Sequence, residues 1–149
     1  MGNANFDPNQ LTFAEGLDRL KKVIRGTPGF PVGKIVTSRD AAVRRSIESL
    51  NVTNIPGGFK KHQLPVFFEG GPGAQFFFSV GNPNADVPNH AHEEGDGFRF
   101  IGSGSILYEG VELTAGDWMF IPKGVPYTFT VGSMGATFCY CYQCCCAPR

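Results

Sequence analysis

Short apolar segments separated by turn-forming residues fill the chain from Val52 onward. They include "PVFF", "AQFFFSVG", "GFRFIG", "DWMFIP" and "PYTFTVG", and Gly, Pro or Asn stands between them. Apolar and aromatic segments of this length, bounded by turn residues, are typical of β-strands. We expect about seven or eight strands, with Glu109 and Gly110 at the turn of a hairpin. A small antiparallel barrel or sandwich is the simplest fold for such a pattern.

Two helices are predicted before the strands. Thr12 and Glu15 have the spacing of a capping box, and apolar residues recur after them at helical spacing, which predicts a helix over Phe13–Arg25. A second helix is predicted over Ser38–Leu50, with Thr37 or Ser38 as its N-cap.

These patterns divide the chain into two parts. Residues 1–51 form an N-terminal helical extension, and residues 52–149 form the β-barrel, with the helices packed outside it. A chain of 149 residues has the size of one structural domain with a single core.

Composition and charge exclude several classes of partner. The formal net charge is zero and there is no long basic run, so binding to nucleic acid or to an anionic membrane is not supported. The apolar stretches are too short to span a bilayer, and the N-terminus lacks the features of a signal peptide. We therefore predict a soluble cytoplasmic protein.

All five cysteines lie near the C-terminus, so they cannot staple distant parts of the chain as a disulfide framework does. We interpret them as reduced structural thiols, with a metal or redox site as the alternative. They are Cys139, Cys141, Cys144, Cys145 and Cys146.

Two of the three histidines lie one residue apart in "PNHAHEEGDGF". In a strand, residues two apart share a face, so His90 and His92 can point in the same direction. Neutral imidazoles bind zinc, iron, nickel, copper or manganese, and a carboxylate completes such a site for harder ions. Exposed loop histidines are the alternative interpretation, and Glu93 and Glu94 are interpreted as solvated loop residues.

Two segments together resemble the conserved motifs of the cupin superfamily. The "HAH" pair is similar to the first motif, and "LTAGDWMFIPKGVPYTFTV" is similar to the second, with Gly116, Pro122 and Gly124 at the expected spacing. The last position of that motif, usually histidine in the family, is Tyr127 here. The resemblance covers residues 88–131 and implies an antiparallel, jelly-roll-like cupin barrel.

The resemblance implies a metal site made by His90, His92 and a carboxylate, but this chain departs from it twice. The carboxylate position falls on Asp96 or on Gly97. We choose Asp96, which turns Phe98 and Phe100 inward and Arg99 outward; with Gly97 there, the carboxylate is missing and Arg99 faces the cavity.

The second departure is Tyr127, a poor metal ligand and a better hydrogen-bond donor or proton shuttle. We assign it a catalytic role, with a core aromatic as the alternative. It should face inward together with Phe129 and Val131, opposite the two histidines. His62 is a candidate replacement ligand, although the neighbouring lysines favour a solvated strand end.

Cupins include enzymes, storage proteins and sensors, so three functions stay open. The first is a metal-dependent enzyme, most plausibly a non-haem iron oxygenase acting on a small, partly apolar organic substrate. It would hold one divalent transition metal, iron first, with zinc, manganese, nickel or copper as alternatives. The second is a dehydratase, isomerase or lyase that uses Tyr127 for proton transfer, with a Lewis-acid metal or none. The third is a non-catalytic module that binds a small ligand.

No basic cluster that would identify an anionic substrate is apparent in the predicted barrel interior. A homodimer is expected, because the apolar residues Phe76, Phe77 and Phe78 need cover.

Overall fold

The computed structural model describes residues 6–68 and 73–142. Its first helix, α1, spans Phe13–Gly26 and begins with the predicted capping box, in which Thr12 and Glu15 bond reciprocally. The second helix, α2, spans Ala41–Glu48 and is shorter than predicted. It starts later because the Asp40 carboxylate accepts a hydrogen bond from the backbone N–H of Thr37, which holds that stretch in a turn.

In the described part of the chain, seven strands follow the helices, and every pair of neighbouring strands is antiparallel. The sheet order is β1-β2-β7-β4-β5, while β3 pairs with β7 and β6 pairs with β4, and the sheet is not closed. This arrangement, with two helices, confirms the predicted fold class. The strands are β1 Phe59–Gln63, β2 Gln75–Gly81, β3 Asp86–His90, β4 Gly97–Tyr108, β5 Val111–Thr114, β6 Trp118–Ile121 and β7 Tyr127–Tyr142.

The two long strands β4 and β7 form the centre of the sheet and carry most of the core. Alternation along β7 buries Tyr127, Phe129 and Val131, as predicted. The predicted hairpin turn also forms between β4 and β5, where Glu109 and Gly110 both have positive φ. Two successive residues with positive φ suit a tight two-residue hairpin.

Helix α1 is attached to the sheet through Gln75, a buried polar residue of β2. The Gln75 amide donates to the Phe13 carbonyl oxygen and accepts from the amide of Gln63 on β1. Leu20 on the same helix is fully buried. These contacts place the start of α1 beside the interior of the sheet.

Several aromatic side chains remain exposed on the outer face of β4 and β6. Phe100 is 43% exposed, Trp118 58% and Phe120 53%, whereas Phe76, Phe77 and Phe78 on β2 are partly buried. The homodimer stays a prediction. In the ranges that the structure covers, neither helix has the length and apolar character needed to cross a membrane.

Candidate functional site

A cavity of about 180 Å³ lies between the interior of the sheet and the segment that precedes α1. Its walls combine aromatic rings with polar side chains that come from different strands. The polar residues that line it include Lys61, His90, His92, Arg99, Tyr127 and Tyr140.

Tyr127 lies at the meeting point of three polar side chains. Its hydroxyl oxygen is 3.1 Å from Nε2 of His90, 3.2 Å from Nε2 of His92 and 3.3 Å from Nη2 of Arg99. Pairing of β3 with β7 sets His90 directly beside Tyr127, so the histidines adjoin the phenol and do not lie opposite it as predicted. Tyr127 is only 4% exposed.

Both imidazoles are held neutral at pH 7. Burial, with smaller contributions from the charges of Arg99 and Lys61, lowers the pKa of His90. Burial, followed by the interaction with His90, lowers the pKa of His92 to about 3. Each neutral ring therefore carries one N–H and one bare nitrogen.

The contacts of His90 define the direction of these hydrogen bonds. Its Nδ1 lies 2.7 Å from the Pro88 carbonyl oxygen, which can only accept, so Nδ1 carries the proton and Nε2 is bare. The Tyr127 hydroxyl therefore donates to His90. Its oxygen in turn accepts from Arg99 and from the Nε2–H of His92.

Arg99 is buried, at 6% exposure, and faces the cavity. Its guanidinium lies over four aromatic rings, its Nη1 contacts the Met119 sulfur, and its Nε has no partner. The prediction that Arg99 points outward and Phe100 inward is therefore wrong. Gly97 faces inward, so Arg99, two residues further along β4, faces inward as well, and Phe100 faces outward.

Asp96 does not join the histidines. It is exposed, its Oδ1 accepts a 2.8 Å hydrogen bond from the Lys123 backbone N–H, and it does not line the cavity. Gly97 takes the inward position, where a Cβ atom would overlap the hydroxyl of Tyr140. No carboxylate can occupy that space, so the predicted set of His90, His92 and Asp96 is not assembled.

The metal-ligating side chains of the cavity differ from those of the predicted iron site. Within residues 6–68 and 73–142, no three side chains from His, Cys, Asp and Glu come together to hold a metal. The convergent donors are two imidazoles and a phenol that already accepts from Arg99. This set lacks the carboxylate and does not fit the iron-type site of two histidines and one carboxylate.

The remaining candidates lie outside the cavity. His62 packs its ring against Phe78 and does not line the cavity, because it lies on the opposite face of β1 from Lys61. Glu93 and Glu94 are exposed. Cys139 and Cys141 lie on β7 and do not line the cavity, and Cys144, Cys145 and Cys146 lie outside the described residues.

Lys61 and Tyr140 line the cavity and were not identified from the sequence. Phe59, Lys61 and Gln63 share one face of β1 and all line the cavity, so strand parity could have placed Lys61 inside once Phe59 was assigned to the inner face. Burial, with a smaller contribution from the Arg99 charge, lowers the pKa of Lys61 to about 8. The expectation that the interior holds no basic cluster is therefore wrong.

The segment before α1 covers the mouth of the cavity. The Phe6 ring lies 5.2 Å from that of His90, centroid to centroid. The Asn9 amide donates to the Ala91 carbonyl oxygen and accepts from the Glu93 backbone N–H. It is therefore hydrogen-bonded to the backbone on both sides of His92. This cover limits the access of water to the polar groups inside.

No protein-family model and no protein of curated function matches the chain. Among solved structures, KdgF from Halomonas sp. is 15% identical over 59% of this chain and 82% of its own, with a TM-score of 0.50. The complex of Rhodobacter sphaeroides SigE with the anti-sigma ChrR contains a match of 19% identity over 60% of this chain and 47% of that chain, with a TM-score of 0.51. An RmlC-like cupin from Shewanella frigidimarina is 23% identical over 59% and 78%, with a TM-score of 0.47.

The chain has a cupin fold, as the two sequence motifs predicted. At these identities the likeness shows the fold alone. Cupins of similar structure include enzymes and proteins that are not enzymes, so function depends on the residues of this chain's own cavity.

Proposed function

We propose that this cupin is an enzyme that transfers a proton on a small, partly apolar organic substrate, in a reaction of the lyase or isomerase class. One observation carries the proposal. The hydroxyl of Tyr127, in a covered cavity, is hydrogen-bonded at the same time to His90, His92 and Arg99. A single phenol linked to two neutral imidazoles and a cation is equipped for acid–base chemistry.

Each group in this arrangement has a distinct role. Neutral His90, whose Nε2 is bare, is the base that takes a proton from the substrate. When substrate binds, the Tyr127 hydroxyl turns its proton from His90 to the substrate atom that gains electron density, which frees Nε2 of His90 for the proton it takes. The His90 imidazolium then returns a proton to the Tyr127 phenolate along their hydrogen bond, so both groups regain their starting protonation. Arg99 and His92, which both donate to the phenol oxygen, stabilise the negative charge that develops there.

The aromatic walls and the covering N-terminal segment give these donors a surrounding of low polarity, in which fixed dipoles act strongly. No step in this proposal runs through a metal. The iron oxygenase predicted from the sequence requires a third, carboxylate ligand, and the space for one is taken by Tyr140.

A metal-dependent enzyme is the second candidate, and one observation favours it. The Nε2 atoms of His90 and His92 both approach one oxygen atom, so two imidazoles converge on one point. Elemental analysis of the purified protein separates the candidates. One transition metal per chain, lost in a His90→Ala/His92→Ala double variant, would favour the second.

The proposed activity can be sought without knowing the substrate. Proton transfer to and from carbon exchanges substrate hydrogen with solvent, so incubation in D2O with a panel of small keto and hydroxy compounds should incorporate deuterium, detected by NMR. The Tyr127→Phe variant should lose at least about tenfold in the exchange rate. Tyr108→Phe is the matched control, because Tyr108 lies on β4 and does not line the cavity.

Exchange that is equally fast in Tyr127→Phe and in the wild type would contradict the proposal. The absence of exchange across the panel, in a protein that still binds compounds of that panel, would favour the non-catalytic binding module instead.

A further inference from the structure

Three polar groups from three different strands face one another inside the cavity: Lys61 from β1, Arg99 from β4 and Tyr140 from β7. The Arg99 guanidinium carbon lies 4.9 Å from the centre of the Tyr140 ring, and the Lys61 amino nitrogen lies 5.5 Å from it. Two cations therefore flank one phenol.

Two polar atoms in this cluster have no hydrogen-bond partner, although both are buried. They are Nε of Arg99 and the hydroxyl oxygen of Tyr140, on side chains that are 6% and 2% exposed. The large majority of buried polar atoms in proteins have a hydrogen-bond partner, and one that lacks a partner destabilises the fold. Acceptor oxygens of a ligand would satisfy these two atoms.

The aromatic rings around Arg99 do not account for these atoms. Rings attract a guanidinium through its flat face, whereas its N–H groups point outward in the plane and need acceptors. The rings of Phe129 and Phe138 lie 4.6 and 5.2 Å from the guanidinium carbon. They explain how the cation is tolerated, but they leave its Nε–H without an acceptor.

Among residues 6–68 and 73–142, no carboxylate neutralises the two cations. In the part of the chain that the structure describes, neither Lys61 nor Arg99 forms an ion pair. Of the acidic residues that the structure describes, Asp7 lines the cavity, and it is exposed at the mouth and accepts from the Asn9 backbone N–H. The interior thus holds uncompensated positive charge.

We propose that Lys61, Arg99 and Tyr140 form a subsite for the carboxylate group of a small organic acid. This deepens the proposed function and rests on it in one respect, namely that the cavity is the substrate site. A carboxylate supplies the acceptor oxygens and the negative charge that this cluster lacks, and the planar guanidinium suits it well.

The size of the cavity defines the rest of the ligand. A cavity of about 150 Å³ lined by apolar side chains holds benzene, and the present one measures about 180 Å³. Phe59, Phe77 and Phe129 contribute aromatic walls. One ring, or an equivalent short chain, bearing one carboxylate therefore matches both the volume and the chemistry.

Benzoate and benzamide provide a probe pair of nearly equal shape, of which only benzoate is charged. We expect NMR titration at pH 7 and low salt to show benzoate binding at least about tenfold more tightly than benzamide. In Lys61→Met, the affinity for benzoate should fall by about tenfold, while the affinity for benzamide should change by less than about threefold. Tyr140→Phe, which keeps the ring, should lower the affinity for benzoate by at least about threefold.

Lys60→Met is the matched control, because Lys60 is exposed and adjacent to Lys61 on β1. It removes the same charge from the chain and should leave both affinities unchanged. Arg99 is central to the core, and its variants could fail to fold, so Lys61→Met and Tyr140→Phe carry the test. Far-ultraviolet circular dichroism verifies that each variant is folded.

Equal affinity for the two probes, no binding of benzoate, or a preference that survives both variants would overturn the inference. These measurements need no turnover, so they are independent of the exchange assay. Selective binding of benzoate with exchange unaffected by Tyr127→Phe would contradict only the proposed function. Exchange that depends on Tyr127, without any preference for benzoate, would contradict only the carboxylate subsite.

Discussion

Gly97 faces the hydroxyl of Tyr140 so closely that a Cβ atom at residue 97 would overlap it. Among cupins, the resemblance places a carboxylate at this part of the first motif. In this chain the glycine and the tyrosine are complementary, since one vacates the space that the other fills. The same arrangement turns Arg99 into the cavity, two residues further along β4.

Replacing Gly97 by Ala should destabilise the fold. The backbone at residue 97 does not have a positive φ, so the effect comes from overlap with Tyr140, and overpacking of a core position is destabilising by about 1–3 kcal/mol. Urea denaturation measures the change. Gly26→Ala is the control, because no heavy atom lies within 4 Å of its added Cβ, and it should be neutral or slightly stabilising. A Gly97→Ala protein as stable as the wild type would show that this packing is not tight.

Replacing Asp96 by Ala should leave the cavity intact. Asp96 is exposed and accepts only from the Lys123 backbone, so we expect a loss of about 1 kcal/mol or less in the free energy of unfolding. Its exchange rate in D2O should equal that of the wild type, in contrast to Tyr127→Phe. A loss of activity as large as that of Tyr127→Phe would restore Asp96 to the site.

Lys61 should make stability depend on pH in the alkaline range. Its pKa is about 8 in the folded chain, lowered by burial and then by Arg99, and near 10.4 in an unfolded chain. Between these values the unfolded chain binds more protons, so stability rises with pH. The groups around the Lys61 amino nitrogen are Arg99 and His92, together with the rings of Phe77 and Tyr140.

The measurement compares the wild type with Lys61→Met at pH 8 and at pH 10. Comparison with the variant cancels the titration of the tyrosines and the other lysines. From pH 8 to pH 10, the wild type should gain stability relative to Lys61→Met. A difference between the two proteins that is constant with pH would show that the Lys61 ammonium is as well solvated as an exposed one.

Much of the fold followed from local sequence. The capping box at Thr12, the turn at Glu109 and Gly110, and the inward side of β7 were all predicted, because each depends on residues close together in the chain. The second helix was predicted too long because Asp40 bonds back to the chain before it. Thr37 and Asp40 have the same spacing as Thr12 and Glu15, so the sequence favoured a helix start near Thr37, whereas the chain forms a turn there and the helix begins after Asp40.

The site was predicted less completely, for a reason of parity. A displacement of one residue along β4 exchanges its two faces, and the sequence offered both Asp96 and Gly97 as the inward residue. Tyr140, which decides between them, lies more than forty residues away in sequence and reaches Gly97 only through the pairing of β4 with β7. Tyr127 was predicted to lie across the cavity from His90 and His92, whereas strand pairing sets it beside them. Lys61 and Arg99 were not placed inside.

The protonation of the two imidazoles tests the central claim most directly, because the network around Tyr127 requires one particular tautomer of each ring. Nitrogen-15 NMR of the histidine side chains at pH 7 distinguishes the tautomers and the charged form. We predict a neutral His90 protonated on Nδ1, which bonds to Pro88, and a neutral His92 protonated on Nε2, which bonds to Tyr127. A His90 ring protonated on Nε2, or a positive charge on either ring, would contradict the account.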